Sequence, residues 1–183
     1  WLGSIALAAH QIMIAISTLG FMIYYGVGAA VSVRVSNFYG RGDITNVKRS
    51  TMAGFHIMLC LVLIASTIFF FAQDVIGILF TTSPEVISLV SSLIIILMIY
   101  QFGDALQIIY ANSLRGIGDV ISMAIISFIG YFLLAMPVCY ICGFILNLGI
   151  TGIWIGYPVG LTLTGIMLCG RYYWKLKNGR LFR

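Results

Sequence analysis

The sequence predicts an all-α polytopic membrane protein of five transmembrane helices, and three observations lead there. Hydrophobic residues make up 61% of the 183 residues and charged residues only 8%, with a mean hydropathy of +1.09. A soluble domain carries roughly 25% charged residues. Five apolar segments, near 4–36, 47–73, 86–113, 120–145 and 150–174, are each long enough to cross a hydrocarbon core of about 30 Å. No polar linker of helix length separates them, so 1–183 reads as one transmembrane domain. Third, charge segregates. Assigning the loops alternately to two sides puts Arg34, Arg41, Lys48, Arg49, Arg115, Arg171, Lys175, Lys177, Arg180 and Arg183 together, which is all ten Lys and Arg. The opposite loops hold Asp74 and Glu85. The positive-inside rule makes the basic side cytoplasmic, with residue 1 outside and the C-terminus inside. The net charge of +5 therefore reports orientation and not affinity for nucleic acid.

The first segment, from Ser4 to about Ser36, is long for one crossing, so a tilt or bend is expected, with Gly20, Gly26 and Gly28 as flexion points. Gly26, Ala29, Ala30 and Ser32 offer a small-residue face on which another helix can lie close. His10 sits near the start, where interfacial water can solvate it. Gln11, one step deeper, either hydrogen-bonds a neighbouring helix or lines a cavity. The chain opens on Trp1 with neither a basic stretch nor a cleavage site ahead of the apolar run. The expectation is no signal peptide and a true N-terminus further upstream.

Asn37 to Asn46 reads as a polar turn, with Asp43, Thr45 and Asn46 each able to cap the second helix. His56, two turns in, is expected to be a hydrogen-bonded packing residue in preference to a proton relay. Thr82-Ser83-Pro84-Glu85 is the clearest helix start: Ser83 can cap, Pro84 fits the first helical position, and Glu85 suits the positive end of the helix dipole.

The third helix carries the chemistry. Asp104 is a carboxylate deep in an apolar run, and a charge at that depth costs several kcal/mol unless it meets a polar cavity or a partner. Tyr100 lies four residues before it and Gln107 three after, so the three share a face, with Gln101 able to flank the same site. Such a polar stripe needs a polar or water-filled space to look into.

Arg115-Gly116-Ile117-Gly118-Asp119 makes a tight connection in which Asp119 can cap the fourth helix. Two isolated glycines with no strand before them are no phosphate loop. Pro137 in the fourth helix and Pro158 in the fifth free the carbonyls of Leu133 and Trp154, kinking the helices or exposing backbone. Gly152, Gly156 and Gly160 recur every four residues, a close-packing face. The four cysteines, Cys60, Cys139, Cys142 and Cys169, all lie in apolar runs and read as small hydrophobes, not metal ligands or a redox pair.

No Ser-His-Asp set, HExxH motif or pair of intramembrane aspartates is present, so the chain does not read as an enzyme. A channel would need a filter loop or a charged ring. A buried acid on a polar stripe, beside Pro-kinked and Gly-rich helices, fits an ion-coupled carrier best.

At these residues the chain resembles a known family. Leu2-Gly-Ser-Ile-Ala-Leu-Ala-Ala-His-Gln11, Gly28-Ala-Ala-Val-Ser-Val-Arg34-Val35, Tyr100-Gln-Phe-Gly-Asp104-Ala-Leu-Gln107, Leu114-Arg-Gly-Ile-Gly-Asp119 and Gly152-Ile-Trp-Ile-Gly156 stand in the order found in multidrug and toxic compound extrusion (MATE) transporters. The likeness runs from the end of their seventh helix through the twelfth. It implies twelve helices in two six-helix lobes, of which this chain forms most of the C-terminal one, with the N-terminal lobe as a missing partner. It also implies export of lipophilic organic cations and drugs across a plasma membrane, bacterial inner membrane by expectation, against inward Na⁺ or H⁺, with no cofactor beyond that ion. Asp104 matches the acid of the C-lobe cation site, Tyr100 the tyrosine one turn before it, and Gln11 the polar residue after the family's His. Two alternatives stand beside this reading. A flippase of the same fold is disfavoured because no basic residue lies mid-membrane to take a pyrophosphate. A non-transporting scaffold or channel subunit would leave Asp104 out of reach of water.

Overall fold

The computed structural model describes residues 2–178; Trp1 and residues 179–183, which include Arg180 and Arg183 of the charge pattern, lie outside the described residues. The described chain is helical throughout, with five helices long and apolar enough to cross a membrane. These are α1 (Gly3–Gly40), α2 (Ile44–Phe80), α3 (Pro84–Gly116), a composite fourth span over 120–145, and α6 (Gly149–Lys177). Bulky apolar side chains such as Phe71, Leu79 and Ile121 are exposed on the outer surface, as hydrocarbon contact requires.

Two helices run further than their sequences suggest. Asn37 and Tyr39 belong to α1, because the turn needs only Arg41, Gly42 and Asp43, with Gly42 at φ +74°. At the other end α2 continues past Gln73 and Asp74 to Phe80, and Gly77 lets the backbone of Ile87 come within 3.0 Å of where a Cβ would stand. Of the three possible caps for α2, Asp43 takes the position, its Oδ1 accepting from the backbone N–H of Asn46 at 3.0 Å. Ser83 stands at the cap of α3 without a side-chain capping bond. His56 is exposed on α2 beside the Phe55 ring, so its expected hydrogen-bonded packing role is corrected.

α3 is the central post, packed on α1, α2 and α6. Its buried side chains belong to two clusters. Val86, Val90, Leu93, Ile94 and Leu97 join Met13, Ile16 and Trp154 in one half. Ala105, Ile109 and Leu114 join Tyr24, Val35, Met58 and Tyr172 in the other. The polar stripe from Tyr100 to Gln107 falls at the boundary between them.

Close helix contact is made at particular glycines. On α1 it is Gly28, whose missing Cβ would meet Asn112 and Ile108, while Gly26 has nothing within 4 Å; the small-residue face is thus shifted from the one expected. On α6 the Gly152, Gly156 and Gly160 row lies directly against the fourth span at Cys142, Cys139 and Ala135. That span is α-helical over Val120–Phe128 (α4) and Met136–Tyr140 (α5), with π-helical stretches at Ile129–Ala135 and Ile141–Ile145. Pro137, which cannot donate an N–H, lies in the short α-helical stretch between the two wider-wound ones.

The basic end is cross-linked by polar groups. Thr51 Oγ1 of α2 lies 3.0 Å from Ser113 Oγ of α3 and 2.8 Å from Tyr172 OH of α6. Asp119, in the α3–α4 turn, accepts from Arg171 Nε at 2.7 Å and from Ser122 Oγ at 2.8 Å, with Lys175 Nζ at 3.5 Å. Burial alone would raise the Asp119 carboxyl, but the Arg171 and Ser122 hydrogen bonds and the nearby Lys175 outweigh it and hold it below its ordinary value. A carboxyl so held binds protons less readily folded than unfolded. It therefore adds stability at neutral pH and loses that contribution as pH falls through the lowered value. A double-mutant cycle of Asp119→Asn and Arg171→Gln is expected to give a coupling of about 1 kcal/mol at neutral pH, since Arg171 is part-exposed. Thermal unfolding in detergent at neutral and acid pH measures it, and the coupling should vanish at the acid end.

Candidate functional site: an acidic cavity between helices

Asp104 is 3% exposed, and its Oδ2 has no hydrogen-bond partner. It borders a cavity of about 290 Å³ whose walls include Tyr100 and Gln107 of α3, Phe21 of α1, Tyr131 of the fourth span and Tyr157 of α6. A buried carboxyl with an unpartnered oxygen beside a space of that size is a group whose charge calls for a proton, a water or a cation.

Helix geometry explains which stripe residues reach this space. At 3.6 residues per turn, Tyr100 and Gln107 lie about 20° apart on one side of Asp104, while Gln101 lies about 60° to its other side. Gln101 accordingly turns to α1, where its Oε1 accepts from the Tyr24 hydroxyl, its Nε2 remaining without a partner. It backs the site without lining the cavity. Gln107 donates from Nε2 to the Tyr131 hydroxyl, joining α3 to the fourth span across the cavity. Gln11 is exposed on α1 and does not border this cavity. Its neighbour His10, about 100° round the helix, is the inward one, edge-on to Trp154 at 5.8 Å between ring centres.

The wall is held to backbone precision beside the acid. A Cβ at Gly103 would stand 2.7 Å from Thr162 Oγ1 and 3.1 Å from the Thr162 backbone N, and one at Gly165 would stand 2.9 Å from Leu106. Glycine at these positions draws α6 against α3 and fixes the depth at which Tyr157 and Leu161 meet the cavity. Tyr157 also borders a larger, mostly apolar cavity of about 520 Å³ formed with His10, Leu7, Phe144 and Ile150. Trp154 packs 5.4 Å from the Tyr157 ring and 6.4 Å from that of Tyr100.

Reading the sequence did not single out Phe21, Tyr131 or Tyr157. Their signal was a bulky aromatic within a turn of a helix breaker: Phe21 follows Gly20, Tyr131 follows Gly130, and Tyr157 precedes Pro158. No group of three or more His, Cys, Asp or Glu side chains is assembled among the described residues. The donors around Asp104 are hydroxyl and amide oxygens and aromatic faces. That set suits a hard monovalent cation or a proton at the carboxylate, and an organic cation against the rings.

The family model MatE matches residues 1–141. Multidrug resistance protein NorM of Photobacterium profundum is 36% identical over 177 residues, covering 94% of this chain and 39% of the relative. Multidrug resistance protein MdtK of Photorhabdus laumondii is 33% identical over 181 residues, covering 97% and 40%. Among solved structures, the eukaryotic MATE transporter AtDTX14 superposes with a TM-score of 0.86 at 23% identity, over 96% of this chain and 40% of that one. An outward-facing multidrug resistance MATE transporter of the MOP superfamily gives 0.87 at 18% identity, over 97% and 42%. At those identities the structural likeness speaks for the fold. The chain spans about 40% of the length of the curated relatives it matches.

Proposed function

The chain belongs to the MATE family, and on that premise we propose that the protein it builds exports lipophilic organic cations in exchange for inward-moving Na⁺ or H⁺, with Asp104 as a coupling carboxylate. The observation that carries this reading is the buried carboxyl of Asp104, one oxygen of which has no hydrogen-bond partner, at the edge of a cavity walled by Phe21, Tyr100, Tyr131 and Tyr157. A carboxylate among aromatic rings attracts a lipophilic cation through charge and ring faces together. The same oxygen takes a proton or Na⁺ when the substrate leaves. Tyr100 and Gln107 supply the neighbouring hydroxyl and amide. Gln101 braces the acid's helix through Tyr24, and Gln11, exposed on α1 outside this cavity, is a further polar contact for cation or substrate.

Alternating access requires two lobes that rock about a central site, and the relatives' length leaves room for the second. The names multidrug resistance protein NorM and MdtK support drugs as the cargo, and five membrane-length apolar helices in a chain with bacterial relatives support a bacterial inner membrane as the location. The clustering of Arg34, Arg41, Lys48, Arg49, Arg115 and Arg171 supports a cytoplasmic basic end and a cytoplasmic C-terminus.

The test is flux of ethidium in proteoliposomes of the full-length protein under an imposed Na⁺ gradient or an imposed pH gradient. Export driven by one gradient identifies the coupling ion. No flux under either gradient overturns the antiporter reading in favour of a flippase or a scaffold.

A further inference from the structure

Between the basic ends of α1 and α2 lies a groove of about 480 Å³ that takes no part in the transport reading. Arg34 and Arg49 border it, Val31 and Gly54 are among its apolar members, and Phe38 and Ile57 complete its sides. With 38 and 37 residues, α1 and α2 are each about 55 Å long at 1.5 Å per residue, and so outrun a hydrocarbon core of about 30 Å. Arg34 and Arg49 fall within about two turns of the Arg41–Asp43 turn, which sets them at headgroup depth while Val27 and Ile57 reach toward the acyl region.

The two arginines are free to bind. Among the described residues the ion pairs are those of Asp119, so neither Arg34 nor Arg49 has a carboxylate within 4.0 Å. Asp43 attracts Arg49 through space, but its two oxygens already accept from the N–H and Nδ2 of Asn46, at 3.0 and 2.6 Å. Arg34 is steered by Phe38, its guanidinium carbon 5.8 Å from the ring centre. Guanidinium pairs recognise phosphate oxygens through parallel N–H donors, and basic pockets between transmembrane helices at the cytoplasmic face take anionic headgroups.

We propose that this groove binds an anionic phospholipid, its phosphate held by Arg34 and Arg49 and an acyl chain lying along Val27, Val31 and Ile57. The apolar run below the arginines favours an amphiphile over a soluble anion. The site is independent of Asp104 and of the coupling ion.

Native mass spectrometry of the purified full-length protein, titrated with phosphatidylglycerol or phosphatidylcholine, tests it. Wild type should retain phosphatidylglycerol at about thirtyfold lower concentration than phosphatidylcholine, the effect expected of two arginines beside an anionic headgroup. Arg34→Gln/Arg49→Gln should lose that preference, whereas Lys48→Gln, an exposed cation outside the groove, should keep it. Both arginines are exposed, so the double variant is expected to keep the wild-type thermal midpoint. An unchanged preference in the double variant, or none in wild type, overturns the proposal. Displacement of the lipid by inorganic phosphate at equal concentration overturns it in favour of a soluble-anion site.

Discussion

Asp104→Asn is expected to reduce gradient-driven export of a fluorescent cation by about 100-fold, or roughly 2.7 kcal/mol of lost driving interaction, while leaving the protein folded. The substitution keeps the shape of the side chain and removes the charge and the exchangeable proton. Nothing in the packing around residue 104 has to move. The effect on stability should run the other way, because an unpartnered carboxylate at 3% exposure is a cost of folding that an amide relieves. A fall in flux together with an unchanged or higher thermal midpoint is therefore the signature of a group kept for function at the expense of stability. Flux and ion dependence surviving Asp104→Asn would end the coupling role.

How much of this site was legible beforehand depends on which helix supplied the residue. Within α3, spacing alone brought Tyr100, Asp104 and Gln107 to one face, because regular helical phase relates them. Gln101 stands three residues from Asp104, as Gln107 does, yet a step of three backward and a step of three forward rotate in opposite directions. Gln11 and His10 illustrate the same point on α1: adjacent polar residues, of which the inward one is set by packing against Trp154. Tyr131 and Tyr157 come from other helices, and single-chain periodicity carries no information on how helices are rotated against one another. In the fourth span even the phase is lost, as the π-helical stretches break the period that a face assignment assumes. Helix ends ran long where polar residues such as Asn37 and Gln73 sat beyond the membrane core, since polarity there marks water and not a break in the helix. The five spans themselves needed only length and hydropathy.

Gly156→Val is expected to have a large structural effect. A Cβ at residue 156 would stand 2.8 Å from the backbone N of Cys139 and 2.9 Å from its Cα, and backbone cannot rotate aside as a side chain can. Separating α6 from the fourth span should cost about 3 kcal/mol, the upper part of the usual range for overpacking. It should also widen the acidic cavity, since Tyr131 and Tyr157 ride on those two elements. Gly26→Val supplies the contrast: nothing lies within 4 Å of its Cβ position, so a change within about 0.5 kcal/mol is expected. Thermal unfolding of both variants beside wild type decides it. Equal midpoints for the two would mean that the α6 glycine row is not a packing seam.

The wide-wound stretches at Ile129–Ala135 and Ile141–Ile145 have an evolutionary consequence. A turn that closes over five residues instead of four holds one residue more than an α-helix of the same height. Removing a residue from such a turn tightens it to ordinary α-helix and leaves everything downstream in register. The same deletion in α3 would swing each later side chain by about 100° and carry Asp104 off its face. Insertions and deletions within spans of related chains should therefore collect in the fourth, where the helix has slack, and be purged from the third.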